Sequence, residues 1–284
     1  MTVIASHTNR GLARSQDGTE IAYETLGAGP GLLVLGGAWR AGRDYLPFAG
    51  ALASDFEVHV IDRRGRGRSG PQGPDYGIER ELEDLRAVRA QTAATIVFGH
   101  SYGGLVALEA ARLSSAFSDV IAYEPGVSLA GSIPRGWMGL YRERLAAGDP
   151  RGAFAAMVRG SGAAPRALAS MPLWYVKLVL RVFIKDRQWR DMEPLMPASL
   201  AEHEQVVALD EETAGRFRTI SGRVLLLGGS KSPAFLTGRL FEELTVAIPN
   251  CTTELIEGLD HVAPDEKAPA VVAERVRRRF QAVC

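Results

Sequence analysis

Cysteine is nearly absent from this chain. Cys251 and Cys284 are the only two in 284 residues, too few for a disulfide framework, and neither belongs to a C-x-x-C pair or a basic cluster. Both read as incidental thiols. An excess of one charge is also missing, because Lys+Arg and Asp+Glu number 33 each. That balance removes the global field that would favour nucleic acid or an anionic membrane as partner. The basic runs Arg63–Arg68 and Arg275–Arg279 are local, and the second closes a helical pattern, so it reads as ion-paired or solvated surface. No stretch of about 18 apolar residues runs free of charge, so no transmembrane helix is expected. Met1 to Gln16 is polar and lacks an apolar core segment, so no signal peptide is expected and the expected location is cytoplasmic. Metal-binding clusters are missing too. Glu202-His203-Glu204 has no second His four residues on, so no metal is expected, and no cofactor.

The rest is ordinary globular composition, 46% hydrophobic and 23% charged, on a chain long enough for one large α/β core with an insert. Leu12–Ser15 and Ile21–Thr25 flank Asp17-Gly18, a hairpin signal because this dipeptide supplies the positive φ of a tight turn. Short apolar strands are expected at Leu32–Leu35, Phe56–Ile61, Thr95–Phe98 and Val120–Tyr123. Helical patterns stand between them at Tyr45–Leu52, Ile78–Gln91 and Gly104–Arg112. This alternation predicts a mostly parallel sheet covered on both faces. It stops between Gly126 and Gly215, where Ala, Leu, Trp and Met recur at helical spacing. It resumes with the strand Val224–Leu227, a helix near Phe235–Leu244, the strand Thr252–Ile256 and the helix Ala268–Phe280. The expected organisation is a core of residues 1–126 and 220–284 interrupted by a helical cap over 127–219.

Gly99-His100-Ser101-Tyr102-Gly103 follows the strand Thr95–Phe98 and precedes a helix. A G-x-S-x-G string alone means little, but that setting is the one a nucleophile elbow requires. The sharp turn strains the serine, so the residues two places either side must lack side chains. Ser101 then stands at a helix N-terminus, where free N–H groups favour a developing anion.

A serine hydroxyl needs a base. His261 lies just after the last strand and before the last helix; of the five histidines it alone has that placement. An acid must fix its tautomer, and the loop after Val224–Leu227, Gly228-Gly229-Ser230-Lys231-Ser232-Pro233, offers no carboxylate. Glu124, at the end of the strand beside the nucleophile's, is the expected acid. Asp260 and Asp265 share the histidine's loop and are the alternatives. The oxyanion donors are expected to be the N–H of Tyr102, after the nucleophile, and that of Ala38 in Gly36-Gly37-Ala38-Trp39.

These residues resemble the α/β-hydrolase superfamily across nearly the whole chain. Asp62-Arg63-Arg64-Gly65-Arg66-Gly67-Arg68-Ser69 is similar to its D-x-R-G-x-G-x-S loop, and Gly99–Gly103 to its elbow. Leu35–Ala38, Arg80–Leu85, Tyr123-Glu124-Pro125 and Leu227-Gly228-Gly229 resemble a capped bacterial subgroup common in actinobacteria, with the acid after the strand preceding the cap. Many superfamily members carry His-Gly before the oxyanion residue, and Gly36-Gly37 replaces it here. The resemblance implies an α/β-hydrolase fold. It leaves substrate open, since the fold hosts many chemistries. With Ser at the elbow, the Asp-based chemistry of haloalkane dehalogenases and epoxide hydrolases is not implied.

The cap is expected to roof Ser101, with Trp137, Met138, Trp174, Tyr175, Leu178 and Phe183 as an apolar ceiling; Trp39 and His100 would also meet the substrate. The expected activity is hydrolysis of an ester, lactone or thioester with an apolar acyl part, by a monomer or homodimer acting on a small molecule. A cyclase or lyase using the same pocket for acid–base work, and a non-catalytic ligand-binding protein on this fold, are the competing readings.

Overall fold

The computed structural model describes residues 9–281; Cys284 and the first eight residues of the polar N-terminus lie outside this range. One eight-stranded sheet forms the centre, in the order β1-β2-β4-β3-β5-β6-β7-β8. Strands β1 (Asn9–Arg14) and β2 (Glu20–Leu26) are the antiparallel hairpin, with Gly18 at φ +86° in its turn. β2 also runs antiparallel to β4 (Glu57–Ile61). From β4 through β3 (Gly31–Leu35), β5 (Ile96–His100), β6 (Asp119–Tyr123), β7 (Arg223–Gly229) and β8 (Cys251–Ile256), every pairing is parallel.

Parallel strands are buried on both faces, and the pleat divides their side chains between two cores. Leu33, Leu35 and Val97 pack with α2 (Ile78–Thr92), α3 (Tyr102–Leu113) and α10 (Gly238–Ala247). Leu32, Val34 and Phe98 pack with α1 (Leu46–Leu52) and α11 (Pro269–Gln281). From β3 the chain first goes to one side, to β4, and then crosses to the other, to β5. Such a reversal opens a crevice beyond the strands' carboxyl ends, the usual ligand site of an open α/β sheet. The loops after β3 and β5 carry Ala38 and Ser101 there.

Between β6 and β7 the described chain holds helices α4 (Met138–Ala146), α5 (Pro150–Gly160), α6 (Arg166–Ala169), α7 (Leu173–Phe183), α8 (Asp186–Met192) and α9 (Met196–Ala208). A single parallel bridge, Leu129 to Glu211, closes the base of this excursion. α5 starts where its residues dictate: Asp149 accepts the Gly152 N–H at 2.9 Å, and Pro150 fills the first helical position. Trp137, Tyr141, Met157, Trp189 and Met196 give these helices a core of their own.

The expected elements stand with small shifts. β5 runs on through Gly99-His100 and α3 begins at Tyr102 rather than Gly104, because the elbow turns within one residue. The helix expected at Phe235–Leu244 splits at Thr237 into a 3-10 turn and α10, as Thr237 leaves helical geometry (φ −131°, ψ −75°).

Candidate active site

Ser101 occupies φ +54°, ψ −117°, a conformation that costs a non-glycine residue about 1–3 kcal/mol. Its surroundings hold it there. Its N–H donates to the Tyr123 carbonyl at 3.0 Å, and its own carbonyl accepts from Gly104, Leu105 and Gly126. A methyl on Gly99 would lie 2.2 Å from the Gly103 carbonyl oxygen, and one on Gly103 2.3 Å from that of Leu35. Both glycines are therefore required by contact, as the elbow pattern demands.

His261 stands between Ser101 and Glu124. Its Nε2 lies 3.1 Å from Ser101 Oγ and its Nδ1 lies 2.7 Å from Glu124 Oε2. Glu124 is fully buried, at φ +44°. Its Oε1 accepts the Gly229 N–H at 2.7 Å and the Ser232 hydroxyl at 2.5 Å. The loop after β7 thus lacks a carboxylate but supplies the donors that clamp one reaching across from β6. The other two acids are engaged elsewhere: Asp265 with Arg40, and Asp260 with Lys267 and the Val262 N–H.

The turn after β3 lies against Ser101, since a methyl on Gly37 would sit 3.2 Å from Ser101 Cβ. Its amides are sorted. Gly37 N–H donates to Tyr45 Oη at 2.9 Å and Trp39 N–H to Ser199 Oγ at 2.9 Å. The Ala38 N–H between them has no acceptor among the described residues. Tyr102, as the first residue of α3, has no acceptor for its N–H within the helix. The carbonyls of the turn are drawn away from the site by buried arginines. Arg63 donates to the oxygens of Gly36 (2.9 Å) and Gly37 (3.1 Å), and Arg66 to those of Gly37 (3.3 Å) and Arg40 (3.0 Å). Their charge is balanced by Glu81 and by Glu202 of α9. These supports went unread in the sequence. The signals were the Arg63–Arg68 run and its likeness to the D-x-R-G-x-G-x-S loop, and nothing local showed that its arginines point inward.

A cavity of about 280 Å³ opens above Ser101. Trp137, Phe154, Met157, Met192, Val206 and Leu236 make most of its apolar wall. Trp39 lines it at φ +57°, its indole N–H on Tyr141 Oη. His100 borders it too but is 3% exposed. Its Nδ1 lies 2.6 Å from the Tyr45 hydroxyl, which also accepts the Gly37 N–H, so His100 supports the turn after β3 through Tyr45. Burial, with His261 adding to it, pushes His100 well below the usual imidazole range and keeps it neutral.

His203 of α9, weighed in the sequence only as a metal ligand, is a polar residue of the cavity wall. Its Nδ1 lies 2.7 Å from the Ser199 carbonyl, which makes Nδ1–H the donor and leaves Nε2 as an acceptor with no protein partner among the described residues. Burial lowers its pKa to about 4.

Of the six residues expected in the ceiling, one lines the cavity. Trp137 lines the cavity, and Met138 packs in the core beneath the helices. Trp174, Tyr175, Leu178 and Phe183 do not line it; they are 68%, 39%, 53% and 77% exposed. Helical spacing gave α7 an apolar face but not its direction. α5 lies under α7, so Phe154 and Met157 reach the cavity, and of α7 only Val176 is buried. Among the described residues no group of three or more His, Cys, Asp or Glu side chains is placed to hold a metal ion.

Comparisons with known proteins agree with this architecture. The model of the alpha/beta hydrolase family matches residues 30–275. An alpha/beta hydrolase from Sphaerobacter thermophilus superposes with a TM-score of 0.78 at 29% identity, over 95% of this chain and all of that one. A thermophilic esterase from Thermogutta terrifontis gives 0.73 at 18% identity, over 97% and 99% of the two chains. The esterase RhEst1 from Rhodococcus gives 0.68 at 20%, again over 97% and 99%. Of curated proteins, one named provisionally as the carbamate hydrolase RutD, from Rhizobium rhizogenes, is 35% identical over 83 residues, 28% of this chain. The match spans about a third of that relative's length, 32%.

Proposed function

The chain belongs to the α/β hydrolase family, and from that premise we propose that it is a cofactor-independent serine hydrolase acting on a small ester, lactone or thioester with an apolar acyl part. The observation that carries this reading is the continuous chain Ser101 Oγ, His261 Nε2, His261 Nδ1, Glu124 Oε2, at 3.1 and 2.7 Å. Ser101 attacks the substrate carbonyl while its proton passes to His261 Nε2. Glu124 keeps the other nitrogen protonated and stabilises the imidazolium. The Ala38 and Tyr102 N–H groups receive the oxyanion, and collapse expels the leaving group with the proton from His261. A water activated by the same imidazole then hydrolyses the acyl-enzyme.

The cavity is near the small end of ligand pockets, which span roughly 300–1,000 Å³, and its wall is mostly hydrocarbon and aromatic. Both features fit a compact apolar acyl group under a helical cap formed by the α4–α9 segment. A fluorophosphonate probe tests the reading. Wild type is expected to be labelled, and Ser101→Ala and His261→Ala are not. Equal labelling of wild type and Ser101→Ala would end it, and turnover that survives Ser101→Ala but not His261→Ala would mark acid–base chemistry without acyl transfer.

A further inference from the structure

The balanced total charge hides a strongly uneven distribution. Residues 151–190 hold eight Lys or Arg against the single acid Asp186, so this stretch carries seven surplus cations and the rest of the chain seven surplus anions. Arg166, Arg181, Lys185, Arg187 and Arg190 are all exposed, and none makes an ion pair among the described residues. The same stretch bears α7, most of whose exposed side chains are apolar. Trp174, Leu178 and Val182, one turn apart, are 68%, 53% and 73% exposed, and Tyr175 and Phe183 widen the stripe. Arg181 sits on the same helix beside that stripe, three residues on from Leu178. Lys177, three on from Trp174, sits there too and pairs with Asp149 at 2.6 Å.

We propose that α7 and the start of α8 form a docking face for an anionic lipid bilayer, entered by the apolar stripe and held by the surrounding cations. An aromatic and aliphatic ridge rimmed by Lys and Arg is the chemistry of a helix lying in the headgroup–acyl boundary. No described helix is long and apolar enough to cross a membrane, so the attachment is peripheral. A second copy of the chain fits the face less well. A two-fold interface sets the same patch against itself, and here that brings two clusters of surplus positive charge together. An anionic surface neutralises them, while the opposite charge elsewhere on the molecule orients the approach.

The location gives the docking a consequence. Phe183, Ile184 and Gln188 line a second groove that shares Trp39, Phe154 and Met192 with the cavity above Ser101. A bilayer against α7 therefore lies beside the approach to that cavity. This inference concerns binding alone and stands whether or not Ser101 forms an acyl-enzyme.

The test is sedimentation of the full chain with vesicles of phosphatidylcholine alone and with 30 mol% phosphatidylglycerol (about a third anionic lipid), at low and high salt. Binding is expected to the anionic vesicles, weaker at high salt. It should fall roughly a hundredfold in Arg181→Gln/Lys185→Gln/Arg187→Gln and about tenfold in Trp174→Ala/Val182→Ala. These side chains are exposed, so melting temperatures should hold. The proposal is overturned if anionic vesicles do not retain the protein. Binding that is indifferent to Trp174→Ala/Val182→Ala overturns it too, as would concentration-dependent dimers that this double variant abolishes.

Discussion

Replacing Glu124 by Gln probes the site most finely, because it changes the charge and one donor pattern while keeping the shape. Glu124 is fully buried and each carboxylate oxygen is occupied: Oε1 by the Gly229 N–H and the Ser232 hydroxyl, Oε2 by His261. A Gln side chain can keep its oxygen on the first pair of donors. Its NH2 must then face His261 Nδ1, which forces Nδ1 to accept and moves the ring proton to Nε2. The nitrogen facing Ser101 can no longer take a proton, and the charge that stabilises the imidazolium is gone. The analogous change in a Ser-His-Asp triad costs about 10⁴-fold in kcat, from the wrong tautomer, and a loss of that order is expected here. The clamp on Oε1 survives, so the variant should melt within a few degrees of wild type. Glu124→Ala would instead strand three donors, at about 1–3 kcal/mol for each group left unsatisfied. The assay is hydrolysis of p-nitrophenyl acetate and butyrate, with Asp260→Asn and Asp265→Asn alongside. The reasoning fails if Glu124→Gln stays within tenfold of wild type, or if either Asn variant loses as much as Glu124→Gln does.

The other predictions concern the supports of the site and its wall. Gly37→Ala places a methyl 3.2 Å from Ser101 Cβ and should lower kcat far more than it raises KM, read from steady-state kinetics on one ester. Glu202→Leu removes an anion shared by Arg63 and Arg66; chemical denaturation should show a loss of about 3–5 kcal/mol. Glu202→Gln, which keeps a hydrogen-bond acceptor, should instead show its main defect in kcat. His203 adds a pH dependence. Its folded pKa of about 4 is below the unfolded value of about 6.5, so the unfolded chain takes up its proton first as pH falls. Stability is therefore full above the unfolded pKa and lost toward the folded one. Between pH 7 and 5 His203 should contribute a decline of about 2 kcal/mol, and His203→Phe should show a correspondingly smaller drop in urea titrations at the two pH values.

Much of the fold was legible because each device in it is local. Asp17-Gly18 declares its turn, and Leu32–Leu35 and Thr95–Phe98 are apolar runs short enough to read as buried strands. Ser101 is flagged by glycines that contact proves necessary. Glu124 and His261, 137 residues apart in sequence, were legible because each sits at a strand's end on one edge of a parallel sheet. What the sequence withheld depends on tertiary direction. Arg63 and Arg66 read only as a local basic run in a family-like loop until Glu81 and Glu202 are seen beside them. His203 is one more polar residue on a helix until Ser199 fixes its tautomer. α7 has an apolar face, but whether that face meets the cavity or solvent is decided by α5 beneath it, and no periodicity reports that.

The central claim is that Ser101 forms a covalent acyl intermediate, and rapid-quench mass spectrometry tests it most directly. Wild type mixed with excess p-nitrophenyl butyrate and quenched in acid should gain one butyryl mass, mapped to the peptide containing Ser101. His261→Ala should gain none on the same timescale. A turning-over enzyme with no adduct, under conditions where deacylation is rate-limiting, or with an adduct on any other residue, would contradict the account.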